Sequence, residues 1–129
     1  DIAIITSTDA DHLDIYQNPN AVKESFEMFV RKIKENGKLF IKSSLNLKIE
    51  NQIDVYSFGL QQADCYAYNI KIQEGNFIFD VQTPTQTIAN IVLSVPGYHN
   101  ILNALAALSV AETVGISTSL IKSGLESFK

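Results

Sequence analysis

From Ile2 to Thr6 the chain is a continuous apolar run rich in β-branched residues. It lacks the alternation of a half-solvated strand, so it calls for a strand covered on both faces, as in parallel sheets. The residues that follow obey a different period. Polar, turn-prone side chains run from Ser7 to Asn20, and Pro19 suits a first helical position after Asn18. Val22, Phe26, Phe29, Val30 and Ile33 then recur at helical spacing as one apolar stripe. Gly37 is expected to end this helix, with Lys32 and Lys34 in its last turn, where cations are favoured. Leu39 to Ile41 reads as a second short buried strand. Strand, helix, strand in that order is the parallel crossover unit of an α/β domain.

The second half changes character. Val55 to Phe58 supplies a further strand, and from Cys65 the pattern has period two, with Tyr66, Tyr68, Ile70 and Ile72 alternating with polar or small residues. Glu74-Gly75-Asn76 makes a turn, Phe77, Phe79 and Val81 return, and a third run from Ile88 to Val95 completes an antiparallel meander. The end is helical. Ile101, Leu102, Leu105 and Leu108 share a face, Gly115 stops that helix, and Ser117 caps a last one carrying Leu120, Ile121, Leu125 and Phe128. Ile116 before the cap and Ile121 inside it fit a hydrophobic staple.

Bulk properties bound what such a domain can do. With 129 residues, 46% hydrophobic, the chain is long enough for one domain with a real core and too short for two. A net charge of −4 gives no broad attraction to nucleic acid or to an anionic membrane. The basic residues between Lys23 and Lys38 are interleaved with Glu24, Glu27 and Glu35, and read as a solvated helix face. A single cysteine, Cys65, cannot form an internal disulfide, which fits a cytoplasmic location. It has no His or Cys partner at metal-ligand spacing and reads as a structural thiol. No apolar run has the length of a membrane span, and none resembles a signal peptide.

Both histidines lie in dense polar motifs. His12 falls in Asp9-Ala10-Asp11-His12-Leu13-Asp14, just after the carboxyl end of the first buried strand, the edge at which open parallel sheets bind ligands. An imidazole among carboxylates there could ligate a divalent cation; equally, the aspartates could cap turns and leave His12 solvated. The second motif runs from Pro96 to Ala107, with Pro96-Gly97 leading a turn into a helix that begins near His99 or Asn100. Asn100 and Asn103, three apart, share a face, with Ala106 and Ala107 one turn on. Amides that donate and accept together suit the edge of a purine, and small alanines let a flat ring approach. The alternative is that Asn100 caps the helix, Asn103 is solvated and the alanines serve helix packing.

Taken together, in this order and about 85 residues apart, the motifs resemble one family. A strand ending in Thr6, an Ala-Asp-His-Leu-Asp loop, and Gly97-x-His99-Asn100-x-x-Asn103-Ala104-x-Ala106-Ala107 opening a helix form the pattern of the Mur ligases. The resemblance covers essentially the whole chain, and the loop wording is most like the branch that joins L-alanine to UDP-N-acetylmuramate. It implies an α/β fold: part of a central ATP-binding domain, a mostly parallel sheet flanked by helices plus a small antiparallel β meander. It also implies ATP and Mg2+ as cofactors. His12 matches the family histidine that ligates magnesium near the phosphates, and His99, Asn100 and Asn103 match residues that hold the adenine end of ATP. Asp11 and Asp14 would shape the loop.

The implied reaction activates a substrate carboxylate as an acyl phosphate, which the amino group of L-alanine attacks in making a peptidoglycan precursor. Departures from the family pattern set further expectations. No G-x-x-G-K-[ST] phosphate loop occurs in the chain, Tyr98 stands where many relatives carry arginine, and Phe26 falls near the place where sister ligases carry a metal-bridging lysine. Residues 1–129 are therefore read as a single partial domain, inactive alone, lacking its phosphate-loop portion and with the UDP-sugar and C-terminal domains absent. Surface exposed in this way is expected to promote self-association. Two other readings fit the same residues: a recycling ligase that adds a tripeptide to the same sugar, or a non-catalytic nucleotide-binding module.

Overall fold

The computed structural model describes residues 2–6, 19–45 and 47–128. One six-stranded sheet, in the order β1-β2-β3-β4-β5-β6, organises them. Strands β1 (Ile2–Ile5), β2 (Lys38–Lys42) and β3 (Asp54–Gly59) run parallel, with helix α1 (Pro19–Arg31) as the crossover between the first two. Strand β4 (Cys65–Gln73) begins beside the end of β3 and pairs with it in parallel over two residues only, Phe58 with Cys65 and Gly59 with Tyr66. Such a short parallel step with so few connecting residues needs local support. Ser57 and Asp64 provide it: the Ser57 N–H donates to Asp64 Oδ2 at 2.8 Å, and the Asp64 N–H donates to Ser57 Oγ at 3.0 Å. Strands β5 (Asn76–Gln82) and β6 (Thr87–Leu93) add antiparallel, so the expected meander is continuous with the parallel sheet.

Side-chain alternation on β2 explains why its three central residues are all apolar. Leu39 and Ile41 face α1 and pack with Ile5, Val30 and Ile33. Phe40 faces the other way, into the larger core formed by Phe58, Phe79, Val81, Ile91 and Leu93 with Ile101, Leu105 and Leu108 of helix α2 (Tyr98–Thr113). A strand buried on both faces has no position left for a polar side chain. Helix α3 (Thr118–Ser127) packs on β6 and α2. Among the described residues β1 forms one edge of the sheet, and Ile2 and Ile4 remain 44% and 43% exposed.

Four local expectations are corrected. Helix α1 ends at Arg31 rather than at Gly37, because Lys32 and Ile33 close into tighter turns onto Phe29 and Val30. The Asn51 amide, donating to the carbonyls of Val30 at 3.0 Å and Ile33 at 3.2 Å, satisfies that end, and Asn36 (φ 68°) takes the left-handed position. Phe29 is half-exposed and leaves the packed stripe, in which Phe26, Val30 and Ile33 take part among the described side chains. In β4 the inward residues are Cys65 and Ala67, while Tyr66 and Tyr68 lie on the opposite face. An extra residue at Asn69 (φ 53°) shifts the register and returns Ile70 to the core side. In α3 only Ile121 is fully buried; Leu120 stands open, as does Phe128, which lies just past the helix rather than in it.

The helix ends match expectation. Gly115 (φ 90°) stops α2, with the Ile116 N–H donating to the Ala111 carbonyl at 3.0 Å, and Ser117 Oγ accepts the Leu120 N–H at 3.4 Å as the cap of α3.

Candidate nucleotide site

Strand directions decide where the two motifs meet ligands. Strands β1 to β4 are parallel, β5 reverses and β6 reverses again, so β1 and β6 point the same way. The loop after β1 and the turn after β6 therefore leave from the same edge of the sheet, the carboxyl edge of the parallel strands. With five inter-strand steps between them, the two departures lie about 24 Å apart. That separation suits two ends of one elongated ligand. Between them, a crevice of about 500 Å3 is lined by Lys42, Ser43, Ser44, Gly59 to Gln62 and Leu102. Its narrowness at Gly59 is built in, since a Cβ there would lie 2.3 Å from Ser43 Oγ.

Helix α2 starts on a constrained turn. Gly97 has φ 93°, and a Cβ on it would sit 2.6 Å from Cε1 and 2.7 Å from Nδ1 of the His99 ring, so this position needs glycine for both conformation and space. Asn100 Nδ2 donates to the Pro96 carbonyl at 2.6 Å, and the Asn100 N–H donates to the Gly97 carbonyl at 3.0 Å. Asn100 thus closes the turn from inside the helix, while Gly97 itself occupies the cap position without a side-chain bond. Asn103 Nδ2 reaches Asn100 Oδ1 at 3.5 Å, a long contact that leaves the exposed Asn103 amide able to donate and accept elsewhere.

These two amides line a groove of about 260 Å3 between α2 and α3. Its apolar surface comes from Leu93, Val95, Ala104, Ala107, Leu125 and Phe128, with Gly124 opposite Ala107. Ala107 lies in the groove as expected from its spacing to Asn103, whereas Ala106 is 4% exposed and belongs to the core. His99 is exposed beside Gly97 and does not line the groove. The α3 wall was not legible as a site, because Leu125 and Phe128 carry the same apolar signature as core residues. Gly124 in the middle of a helix was the one available signal.

His12, with Asp9, Asp11 and Asp14, lies outside the described residues. Among the described residues no group of three or more His, Cys, Asp or Glu is arranged to hold a metal ion. A third cavity, of about 330 Å3, is lined by Phe40, Tyr56, Asp64, Cys65, Ser109 and Glu112 among others. Burial pushes the Cys65 thiol up to about 11, with Glu112 and Asp64 adding to the shift and a hydrogen bond with Ser109 opposing it. It is protonated at neutral pH, in line with a structural role. No helix of the described residues is long and apolar enough to cross a membrane.

A mixed α/β sheet with an amide-rimmed groove at the carboxyl edge of its parallel strands is the arrangement in which open α/β sheets hold ligands. The chain belongs to the Mur ligase family: the model of the Mur ligase middle domain matches residues 1–111. It is 43% identical to the UDP-N-acetylmuramate--L-alanine ligase of Christiangramia forsetii over 129 residues, which cover 99% of this chain and 27% of that protein. In fold it is similar to the MurF ligase of Thermotoga maritima in complex with ADP, with a TM-score of 0.83, 20% identity, and coverage of 99% of this chain and 30% of that one. It is also similar to the UDP-N-acetylmuramate-alanine ligase MurC of Thermotoga maritima, with a TM-score of 0.77, 24% identity, and coverage of 98% and 29%. The chain therefore spans less than a third of the length of these relatives.

Proposed function

We propose that the protein carrying this chain joins L-alanine to UDP-N-acetylmuramate in peptidoglycan precursor synthesis, with ATP converted to ADP and phosphate through an acyl phosphate. The name shared by the sequence relatives supports the reaction. The observation that carries this chain's part in it is the groove rimmed by Asn100 and Asn103, which offers paired amides at the edge of an apolar slot the size of a ring. In this reading the two asparagines bind the edge of adenine. His99 supports the turn that aims them, and the base lies against Ala107 and Gly124. The ligand then extends along the carboxyl edge towards the loop that carries His12.

Magnesium is proposed to be held by His12, which lies outside the described residues. When bound, the ion neutralises charge developing on phosphate oxygens. We propose a cytoplasmic location, with which the free buried thiol of Cys65 is compatible. This chain alone, without a phosphate-loop motif, is proposed to be inactive, and its open β1 edge to promote self-association.

The test is ADP release by the full-length protein given UDP-N-acetylmuramate and magnesium, with and without L-alanine. Release that depends on L-alanine is expected. Release only with a tripeptide would reassign the protein to a recycling ligase, and no release with either would reduce the reading to a nucleotide-binding module.

A further inference from the structure

Helix α3 forms one wall of the proposed base groove, and its apolar packing there is partial, with Leu125 half-buried against the core. Ile121 is its only fully buried side chain, and Leu120 and Phe128 stand open. A polar tether at its other end compensates. Gln86, in the turn between β5 and β6, donates from Nε2 to Glu112 Oε2 at 2.8 Å and accepts at Oε1 from Thr118 Oγ1 at 3.0 Å. One side chain therefore grips the last turn of α2 and the first residue of α3. Gln86 is itself fixed to the sheet. Its N–H donates to Thr83 Oγ1 at 3.0 Å, and its carbonyl accepts the Thr83 N–H at 2.8 Å and Thr83 Oγ1 at 3.2 Å, with Thr83 only 2% exposed.

The tether sits at the closed end of the helix pair and the groove at the open end. Gly124 to Phe128 lie about 9–15 Å along α3 from Thr118, so a tilt of about 10° at the tether moves the groove wall by about 2 Å. That is more than a flat ring tolerates.

We propose that Gln86 is a positioning residue for the nucleotide base, acting through Glu112 and Thr118 to set the angle of α3 and the width of the groove. The inference rests on the nucleotide reading above. Its test uses the full-length protein with four variants: Gln86→Ala, Gln86→Glu, the exchange Gln86→Glu with Glu112→Gln, and Asn103→Ala as a control. Gln86→Glu sets two carboxylates against each other. The exchange restores a carboxylate that accepts from both the new amide and Thr118. Each single Gln86 variant is expected to raise the KM for ATP and the Kd for ADP roughly tenfold, with kcat and the KM for L-alanine within about twofold, and the exchange to bring both back. A tether that is only structural would lower the melting temperature and active fraction without this split. Unchanged ADP affinity in both single variants, alongside weakened affinity in Asn103→Ala, overturns the positioning role and leaves the base site standing. Unchanged affinity in Asn103→Ala removes the base site and the inference with it.

Discussion

Asp80 Oδ1 accepts the backbone N–H of Asn90 at 2.9 Å, and Asn90 is the left-handed residue (φ 57°) at the point where β6 gains one residue on β5. The other carboxylate oxygen accepts the side-chain amide of Asn69 at 3.0 Å, the left-handed residue at the matching irregularity in β4. One carboxylate on the middle strand of the meander thus serves an irregularity on each side. Beyond the second irregularity, Leu93 at the end of β6 and Val95 just after it line the groove.

Those hydrogen bonds, the one from the Asn90 N–H first and the Asn69 amide next, hold the Asp80 carboxyl below its ordinary value of 3.8. A depressed folded value means a contribution to stability that is complete well above 3.8, declines as pH falls through that region, and is gone below the folded value. Asp80→Asn should therefore lower the melting temperature at neutral pH and narrow its gap to the unchanged protein as pH falls below about 4. Solvent screening keeps the effect below about 1 kcal/mol. Parallel melting curves against pH for the two proteins check this; a constant gap would contradict it.

Gly97→Ala should destabilise the domain by about 1–3 kcal/mol, from the cost of an alanine at positive φ together with the clash against the His99 ring. Thermal melting monitored by circular dichroism gives the value. Gly75→Ala, at φ 80° in the β4–β5 turn but with open space around it, should cost less, which separates the steric part from the conformational part.

Asn103→Ala and His12→Ala should affect the complete protein differently. Loss of the Asn103 amide removes hydrogen bonding to the base and should weaken ADP roughly tenfold, a change of about 1.4 kcal/mol. Loss of His12 should leave ADP affinity within a few-fold while lowering the rate by roughly 10². Calorimetric titration and steady-state kinetics on the same preparations read both. Equal effects on affinity and rate in the two variants would contradict the division of the ligand between the two ends of the sheet's carboxyl edge.

The isolated chain should self-associate through β1, which is an edge strand among the described residues and carries the open side chains of Ile2 and Ile4. Sedimentation across a concentration range should show it, and Ile4→Lys should reduce it. Concentration-independent monomer in the unchanged chain would contradict the proposal.

Much of this fold was legible because period and turn chemistry are local. Wholly apolar Leu39 to Ile41 announced a strand covered twice, Glu74-Gly75 a tight hairpin, and Gly115 and Ser117 a helix stop and start, each a property of residues close in the chain. The Asn100–Asn103 pair was legible for the same reason, since helical spacing alone puts both on one face. What the sequence could not determine by itself depends on residues far apart. Whether an apolar side chain is core or groove lining turns on what the tertiary structure packs over it. Leu105 and Leu125 look alike in sequence, yet one is sealed by the sheet and the other borders the groove. The inward face of β4 was decided by one extra residue at Asn69 and by its partner Asp80 on the next strand. The sequence determined the elements and their order, because those follow from neighbours along the chain. The sheet register, the angle of α3 held by Gln86, and hence the groove itself were decided only by tertiary structure, because hydrogen bonds and burial act between residues that only the folded chain brings together.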